Sequence, residues 1–543
     1  MPRSFTRLPK ACSWVVLAAL MVAASLSHAA PPRDLDRYVQ RVMQTFETPG
    51  LAVVVVEKGN PPIVRTYGVR RMGEPAKIDE QTLFPIGSTT KAFTAALLAM
   101  LVDEGKLTWD TKVSDVLPGF KMYDPYASAE MTVRDLLVHR SGLGLGAGDL
   151  LFFPPTTLTR DEILHKLRYI KPARSFRSGY AYDNLLYVVA GQVVEALEGA
   201  SWEEVIRRRI FAPLQMNATS PSSVLPEGAN RAWPHARTSG EIRGTGPIAP
   251  LPKPLTLDNA APAGAINTNM EELARWLEVQ LGRGLDPRTG TRLYTEAQAQ
   301  EMWTPQMLVP LAPMPKPLEL AKPNFRAYAL GWGVSDYRGH KLVAHGGGVL
   351  GSVTNISILP DRDVAFAIVT NSEETPALAA IQYRLLDHYL GLDSPDWVAA
   401  WVEARDMRVA RAREALAAHA AKSQTQQGES VGPSLPLERY AGTYQDDWYG
   451  QVKVEHGANG LSISFEHTPA LAGSLEHVRY DTFRTRWADR TLEDAYVTFS
   501  LGSDGSIERV TLRAISPLAD FSFDYHDLEL EPVREAAASG ASH

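Results

Sequence analysis

Hydrophobic residues along the first two thirds of the chain alternate between the spacing of strands and the spacing of helices. The run LAVVVVEKG (51–59) is β-branched and ends in turn residues, and PIVRTYGV after it predicts a hairpin partner. Apolar residues with helical spacing occupy 88–105, 183–199 and 270–284. The first two of these segments end at Gly105 and Gly199, which predict helix stops.

A second group of strands closes this part of the chain. The segments 328–348 and 353–373 predict three strands, with turns at residues 337–339 and 360–362. Strands at both ends with helices between them predict an α/β (α+β) fold, in which helices flank an antiparallel sheet and add a helical subdomain.

Two stretches rich in Pro, Gly and Ala, residues 221–262 and 304–325, interrupt this alternation. Irregular segments of this length in a compact domain either shape a binding cleft or are partly disordered. The sequence leaves these two alternatives open.

The pattern changes near the end of the chain. An Ala- and Arg-rich helical stretch after Ser394 continues to about residue 422, and KSQTQQGESVGPS then has the composition of a linker. From Leu437, short alternating strands separated by Gly, Asn and Asp turns predict a small all-β domain. We therefore predict an α/β domain over 31–393, a helix and linker over 394–436, and a barrel-like β domain over 437–535.

The first thirty residues have the three parts of a secretory signal peptide. Basic residues precede the 13-residue apolar run WVVLAALMVAASL, and small residues at Ala29 and Ala30 follow. We expect export to the periplasm or medium with cleavage near Ala30; an uncleaved anchor is the alternative. The only cysteine, Cys12, lies in this segment, so the mature chain would have no disulfide.

Charge and histidine spacing exclude other classes of protein. The net charge is −7 and both signs are interspersed, which is not the pattern of a nucleic-acid-binding protein; a small basic patch on an acidic body is the alternative. The 13 histidines show no HExxH or paired-ligand spacing. We predict no metal and no cofactor. The expected partner is a peptide or small-molecule substrate, with no nucleic acid and no stable membrane span after cleavage, and the oligomeric state stays open.

A serine and a lysine occupy the start of the helix predicted over 88–105. In FPIGSTTKAFTAALLAM (84–100), Lys91 follows Ser88 by three residues, and residues i and i+3 share a helix face. A nucleophilic serine needs a base within hydrogen-bond reach, and apolar neighbours lower the pKa of a lysine. We therefore predict that Lys91 accepts the proton of Ser88. The alternative is an N-cap serine with a lysine that extends to the surface.

Two further segments carry candidate chemistry. SGYAYDN (178–184) precedes an apolar helix; the Tyr182 phenol could relay protons with Lys91, and the Asn184 amide could bond Lys91 and a substrate carbonyl, although a tyrosine at a helix start is commonly packing. VAHGGGVLG (343–351) places His345 and three glycines at a strand end, where a substrate backbone can approach closely; a tight turn and a surface histidine are the alternatives. We interpret His139, in LLVHRSGL (136–143), as structural.

The ordered set GSTTK, YDN and HGG resembles the serine β-lactamase and penicillin-binding-protein superfamily. The class C-like branch, the family VIII esterases and the D-aminopeptidases are the most similar groups, over roughly residues 35–390. The trailing β domain resembles the lipocalin-like modules that follow such catalytic domains.

This resemblance implies a role for each motif residue. Ser88 would form the acyl-enzyme, Lys91 and Tyr182 would act as one coupled proton-transfer unit, and Asn184 would position the substrate amide. The backbone N–H groups of Ser88 and Gly348 would form the oxyanion hole.

One motif departs from the family pattern. His345, Gly346 and Gly347 stand where many relatives carry Lys-Thr-Gly, so a permanent cation and a hydroxyl are absent, and neutral histidine supplies less charge. We therefore expect weak β-lactamase activity at most, and a serine hydrolase that cleaves amide bonds of small peptides, including D- or non-standard residues, linearised nonribosomal peptides or peptidoglycan fragments. The alternatives are a carboxylesterase and a non-catalytic peptide- or β-lactam-binding protein.

Overall fold

The structure is a computed structural model that describes residues 30–240, 242–425 and 432–534. The predicted signal peptide, apart from its last residue, and residues 426–431 of the predicted linker lie outside the described residues. Among the residues described, no helix has the length and apolar character needed to cross a membrane.

The strands that precede residue 371 are, in chain order, β1 (Gly50–Glu57), β2 (Ile63–Gly68), β3 (Phe84–Pro85), β4 (His235–Ala236), β5 (Ala249–Pro250), β6 (Asn267–Thr268), β7 (Met307–Leu308), β8 (Arg326–Tyr328), β9 (Gly333–Tyr337), β10 (His340–Val349), β11 (Ser352–Leu359) and β12 (Val364–Thr370). Eight of these form one sheet in the order β2-β1-β12-β11-β10-β9-β8-β7. Every pairing in it is antiparallel, as the sequence predicts.

The helices are α1 (Leu35–Phe46), α2 (Thr90–Asp103), α3 (Val113–Val116), α4 (Pro125–Glu130), α5 (Val133–Leu137), α6 (Arg160–Lys166), α7 (Leu185–Glu198), α8 (Trp202–Ile206), α9 (Ala261–Gly264), α10 (Met270–Leu281), α11 (Glu296–Met302), α12 (Thr375–Leu390) and α13 (Trp397–Thr425). The helices at 90–103, 185–198 and 270–281 confirm the three predicted from apolar spacing. Gly199 takes the left-handed conformation that ends α7.

Strand β1 shows how the sheet separates two apolar cores. Every residue of this strand except the last is buried, because helices cover both faces of the sheet. Side chains alternate between faces along a strand: Ala52, Val54 and Val56 belong to the core shared with α2, α7 and α10, while Leu51 and Val53 belong to the core shared with α1 and α12. Helices on both faces confirm the predicted layered architecture.

The prediction of three strands near the end of this region is wrong in number. Five strands, β8 to β12, lie between residues 326 and 370. The predicted turns at 337–339 and 360–362 are present, but Gly331 and Gly351, with φ of 77° and 82°, add two further breaks. Glycine adopts this left-handed backbone at little cost, so each one allows the chain to reverse direction.

Beyond α13 the chain forms a closed antiparallel barrel of β13 (Gly442–Asp446), β14 (Gly450–Gly457), β15 (Gly460–Phe465), β16 (Ala472–Arg479), β17 (Thr482–Trp487), β18 (Ala495–Leu501), β19 (Ile507–Ala514) and β20 (Glu529–Pro532). The barrel closes where β13 pairs with β20. This confirms the small all-β unit that the turn pattern predicts. The segment between its last two strands, residues 516–527, which we call the strap, reaches back toward the first part of the chain.

Candidate active site

Ser88 lies in a short turn immediately before α2. The turn Gly87–Thr89 is a 3-10 helix, and the α-helix proper begins at Thr90, so Ser88 precedes the helix instead of opening it. The spacing still brings the two predicted groups together: Lys91 Nζ lies 3.0 Å from Ser88 Oγ. The side chain of Ser88 makes no capping hydrogen bond to α2, whose N-cap is Thr89. The N-cap alternative for Ser88 is therefore wrong.

Lys91 is fully buried, which excludes the surface-lysine alternative. Its Nζ donates to Ser88 Oγ, to Asn184 Oδ1 at 2.8 Å and to the Ala263 carbonyl oxygen at 2.9 Å. Burial disfavours the ammonium form and lowers the pKa of Lys91 to about 7. The amine can therefore gain and lose a proton near neutral pH.

Tyr182 stands just before α7, and its ring covers Lys91. Lys91 Nζ lies 4.9 Å from the ring centroid. Burial raises the pKa of the phenol well above its usual value; the nearby Ser88 hydroxyl opposes that rise, yet no hydrogen bond of ordinary geometry joins the two groups. The Tyr182 hydroxyl is buried and has no hydrogen-bond partner among the described residues. The structure thus brings together hydroxyl, amine and phenol, with the phenol protonated and free to bond an incoming group.

Asn184 joins Lys91 to a buried carboxylate. Its Oδ1 accepts from Lys91, and its Nδ2 donates to Asp149 Oδ2 at 2.9 Å. Asp149 and its neighbour in the site, Asp183, are fully buried, and burial raises the pKa of each to about 7. The negative charge of these two carboxylates raises the pKa of Lys91 and partly offsets the effect of its burial.

His345 lies in β10 and is buried, so the surface-histidine alternative is wrong. Its Nδ1 lies 2.6 Å from the Gly346 carbonyl oxygen and its Nε2 lies 2.6 Å from the Tyr328 hydroxyl. The carbonyl can only accept, so Nδ1 carries the proton and Nε2 accepts from Tyr328. Burial, with the charge of Lys91, lowers the pKa of His345 to about 3. The ring is neutral, and a direct contact with substrate would have to displace one of these bonds.

The glycines after His345 bring β10 against the turn that carries Ser88. Gly346 to Gly348 lie within the strand and not in a tight turn. A Cβ on Gly347 would lie 2.0 Å from the Ile86 carbonyl oxygen, so no larger residue fits between the strand and the turn. At Gly348 a Cβ would meet nothing within 4 Å. The backbone of Gly347 and Gly348 therefore borders Ser88, where the predicted oxyanion hole would form.

His139 packs against the tyrosines of the site. The sequence predicts a structural role for it but not this location. Its ring centroid is 4.2 Å from that of Tyr182 and 4.3 Å from that of Tyr328. Nδ1 accepts a hydrogen bond from the backbone N–H of Asp183, and burial lowers the pKa of His139 well below its usual value. The ring is therefore a neutral support that fixes the position of the Tyr182 ring.

Ser88, Tyr182, Asn184 and His345 line a cleft of about 930 Å³. Both Pro/Gly-rich stretches contribute to its walls, through residues that include Arg237 and Leu257 in the first and 310–314 in the second. Of the two alternatives left open by the sequence, the cleft-forming one is confirmed. Side chains of the strap also line the cleft.

Sequence reasoning missed three side chains: Asp149, Tyr328 and Ser522. Asp149 follows a glycine-rich loop, and Tyr328 lies in the short strand β8; neither belongs to a recognisable motif. Ser522 belongs to the barrel and donates to Asp149 Oδ2 at 2.6 Å across 373 residues of chain. The one local signal for Asp149 is that it is the only acidic residue in the glycine-rich, apolar stretch LGLGAGDLL (143–151).

The described residues contain one group with the spacing of metal ligands, Asp524, His526 and Asp527, whose ligand atoms lie within 4.8 Å of one another. It lies on the strap. None of its members bonds Ser88, Lys91 or Tyr182 in the described structure.

Comparison with known proteins places this geometry in a family. The Beta-lactamase family profile matches residues 35–391, and a domain of unknown function, DUF3471, matches residues 426–532. The chain is 29% identical over 443 residues to the unguisins hydrolase ungD' of Aspergillus campestris, covering 78% of this chain and 77% of that protein. It is 29% identical over 373 residues to penicillin-binding protein 4 of Amycolatopsis lactamdurans, covering 67% and 91%.

A solved structure agrees at the level of fold. The D-amino acid amidase from Ochrobactrum anthropi superposes with a TM-score of 0.52 and 21% identity, covering 66% of this chain and 98% of the amidase. The family match extends over most of the chain and includes the turn of Ser88, the start of α7 and strand β10. The chain therefore belongs to the Beta-lactamase family, whose fold is shared by serine hydrolases that include amidases and peptidases.

Proposed function

We propose that this protein is an exported serine hydrolase that cleaves amide bonds of small peptides through an acyl-enzyme on Ser88. The observation that carries the proposal is the 3.0 Å contact between Ser88 Oγ and the fully buried Lys91 Nζ. A lysine with a pKa of about 7 is half neutral at physiological pH and can accept a proton from serine.

Acylation begins at this pair. Neutral Lys91 takes the proton of Ser88 as Oγ attacks the substrate carbonyl carbon, and the carbonyl oxygen becomes an oxyanion. The backbone N–H groups of Ser88 and Gly348 stabilise that charge, a contribution of about 3 kcal/mol for each donor in such sites.

Tyr182 completes the proton transfer. Its hydroxyl is protonated, since burial holds the pKa of the phenol high, and no acceptor for it lies among the residues that the structure describes. It donates its proton to the leaving amine and regains one from the Lys91 ammonium, so the C–N bond breaks and the amine departs neutral. Water then attacks the ester of Ser88 by the reverse sequence of proton transfers, which releases the acid and restores the serine.

The cleft suits a short peptide. Its volume of about 930 Å³ lies at the upper end for small-molecule sites. Neutral His345 provides no fixed charge beside the glycines of β10, which supports peptides over β-lactams as substrates; a free peptide carboxylate would instead bind another cation of the cleft lining, such as Arg326. The likeness to an unguisins hydrolase supports hydrolysis as the reaction, and we propose peptides that include D- or non-standard residues as the substrates to test first. Esters are the second substrate class.

Export rests on the sequence of residues 1–30. The basic start, the apolar run and the small residues at Ala29 and Ala30 support cleavage by a signal peptidase. Mass spectrometry of the mature N-terminus, after expression in a bacterial host, tests this directly. A protein that keeps Met1 and stays in the cytoplasm would refute export and leave the catalytic proposal intact.

A fluorophosphonate probe and a substrate panel test the catalytic proposal. The wild type should be labelled, and Ser88→Ala should not. The panel compares D- and L-aminoacyl p-nitroanilides, short-chain p-nitrophenyl esters and nitrocefin, and we expect the highest kcat/KM for a p-nitroanilide. Rapid labelling without turnover of any substrate would instead support a binding protein.

A further inference from the structure

The strap of the C-terminal barrel reaches the catalytic groups. Ser522 Oγ donates to Asp149 Oδ2 at 2.6 Å, and the backbone N–H of Gly148 donates to Asp524 Oδ2 at 2.6 Å. The ring of Phe521 packs edge-on against Tyr182, with centroids 5.9 Å apart. Two adjacent residues of the first part of the chain are thus held by two side chains of the strap.

Ser522 stands at the end of a hydrogen-bonded series that leads to Lys91. Ser522 Oγ and Asn184 Nδ2 both donate to the same oxygen of Asp149, and Asn184 Oδ1 accepts from Lys91 Nζ. The amide of an asparagine takes the orientation that its partners impose. Because Asp149 Oδ2 can accept from the NH2 group, the carbonyl oxygen of Asn184 faces Lys91.

The charge of Asp149 connects this series to the proton affinity of Lys91. Burial raises the pKa of Asp149, and the hydrogen bonds from Ser522 and Asn184 oppose that rise. In turn, the charge of Asp149 raises the pKa of Lys91. Loss of the Ser522 hydroxyl would therefore favour neutral Asp149 and lower the pKa of Lys91.

Other titratable groups face the same two residues. Those that affect the pKa of Lys91 or Asp149, or are affected by them, are Tyr182, Asp183, Asp520, Asp524, His139 and His345. Ser522 differs from them because it touches Asp149 directly and comes from the barrel.

We propose that Ser522 is a positioning residue for the proposed hydrolase, acting on Lys91 through Asp149 and Asn184. The barrel is thereby a working part of the active site and not only an attached module. This inference rests on the proposed function, and its consequence is specific: removing one hydroxyl from the barrel changes how Lys91 transfers protons.

The test compares full-length variants on the p-nitroanilide that the wild type cleaves best. Ser522→Ala should lower kcat by about tenfold, the loss expected for one hydrogen bond to a charged group, with KM less affected. In a plot of kcat/KM against pH, the acidic limb of this variant should move to lower pH, because the Lys91 ammonium loses the stabilising charge of Asp149. Asp149→Asn should move that limb further in the same direction, and Ser522→Thr, which keeps the hydroxyl, should stay near wild type.

Two further variants make the test specific. Lys171→Ala removes another contact between the barrel and the catalytic region, the 2.9 Å ion pair with Glu529, and should change neither kcat nor the limb. The double variant Ser522→Ala/Asp149→Asn should match Asp149→Asn alone, since Ser522 acts only through that carboxylate.

Several results would overturn the proposal. One is that the effects of Ser522→Ala and Asp149→Asn on kcat add in the double variant; another is that Lys171→Ala loses as much kcat as Ser522→Ala. A third is that Ser522→Ala raises KM while the acidic limb stays in place. Any of these would mean that the strap only lines the cleft. Probe labelling of the wild type distinguishes a failure of the proposed function from a failure of this inference. A wild type that is neither labelled nor active fails the proposed function, whereas an active wild type with a normal Ser522→Ala variant fails only this inference.

Discussion

Lys91 and His345 are two buried bases near the same serine turn, Lys91 beside Ser88 and His345 in the strand whose glycines border that turn, and their surroundings differ. Lys91 contacts Ser88 and lies near two carboxylates, so its pKa falls only to about 7. His345 has a tyrosine hydroxyl and a backbone carbonyl as partners, and its pKa falls to about 3. Burial lowers both pKa values by similar amounts, so Lys91 titrates at working pH because the ordinary pKa of an amine is about four units above that of an imidazole.

The largest expected effect comes from removing the titrating base. Lys91→Met keeps the length and the apolar stem of the side chain, and should lower kcat/KM by about 10³-fold, within the range for a general base. The rate is measured with the best substrate of the panel, and a thermal melt confirms folding. Activity within tenfold of wild type in a folded variant would assign the base to another group.

Tyr182→Phe should have the next largest effect, about 10²-fold on kcat, because it removes the proposed proton donor to the leaving amine. The same change removes a buried hydroxyl that lacks a partner among the described residues, so stability should stay equal or rise by about 1 kcal/mol. Chemical denaturation measures the second quantity. If the free energy of unfolding falls while kcat changes little, the Tyr182 hydroxyl contributes to packing and not to proton transfer.

Arg326 carries a positive charge near His345 and tests whether a substrate carboxylate binds on that part of the cleft. This exposed residue lines the cleft and lowers the pKa of His345 by its charge, so we expect it to offer a substrate carboxylate the positive charge that the neutral histidine lacks. Arg326→Ala should raise KM about tenfold for peptides with a free carboxylate, and leave KM for the matching C-terminal amides unchanged. Equal changes for both substrates would exclude carboxylate recognition by Arg326.

The pH profile distinguishes the two bases without mutation. Lys91 must be neutral to accept a proton, so kcat/KM should fall about tenfold per unit below pH 7 and level off above it. Neutral His345 does not change protonation between pH 5 and 9. A limb near pH 3 to 4, with flat activity through pH 7, would contradict the assignment of Lys91.

His345→Gln should have the smallest effect. Glutamine is neutral and can bond Tyr328, so kcat should fall only about threefold, with the acidic limb in place. The matched comparison is Lys91→Met. If the limb disappears in His345→Gln and persists in Lys91→Met, the roles of the two bases are reversed.

The local features of the fold were predictable from the sequence, and the long-range ones were not. Apolar spacing and Gly199 gave α7 and its end, and the spacing of Ser88 and Lys91 gave their contact even though a 3-10 turn precedes the helix. The strand count near residue 340 was wrong because two glycines break the chain where the apolar pattern continues.

The outer layer of the site could not be predicted, because its contacts join residues far apart in the chain. Asp149 and Ser522 are separated by 373 positions, and nothing local to a serine in a barrel loop indicates a buried carboxylate in another domain. The motifs indicated Ser88, Lys91 and Tyr182, which the structure brings together, and the tertiary structure was needed to find the side chains around them.

Intact-protein mass spectrometry during turnover is the most direct test of the central claim. With a slow ester or amide substrate, the wild type should gain the mass of the acyl group, and peptide mapping should place that mass on Ser88. With the ester, whose leaving group departs without protonation, Tyr182→Phe should keep the same adduct for longer, and Ser88→Ala should gain none. Turnover by Ser88→Ala, or an adduct on any other residue, would contradict the account.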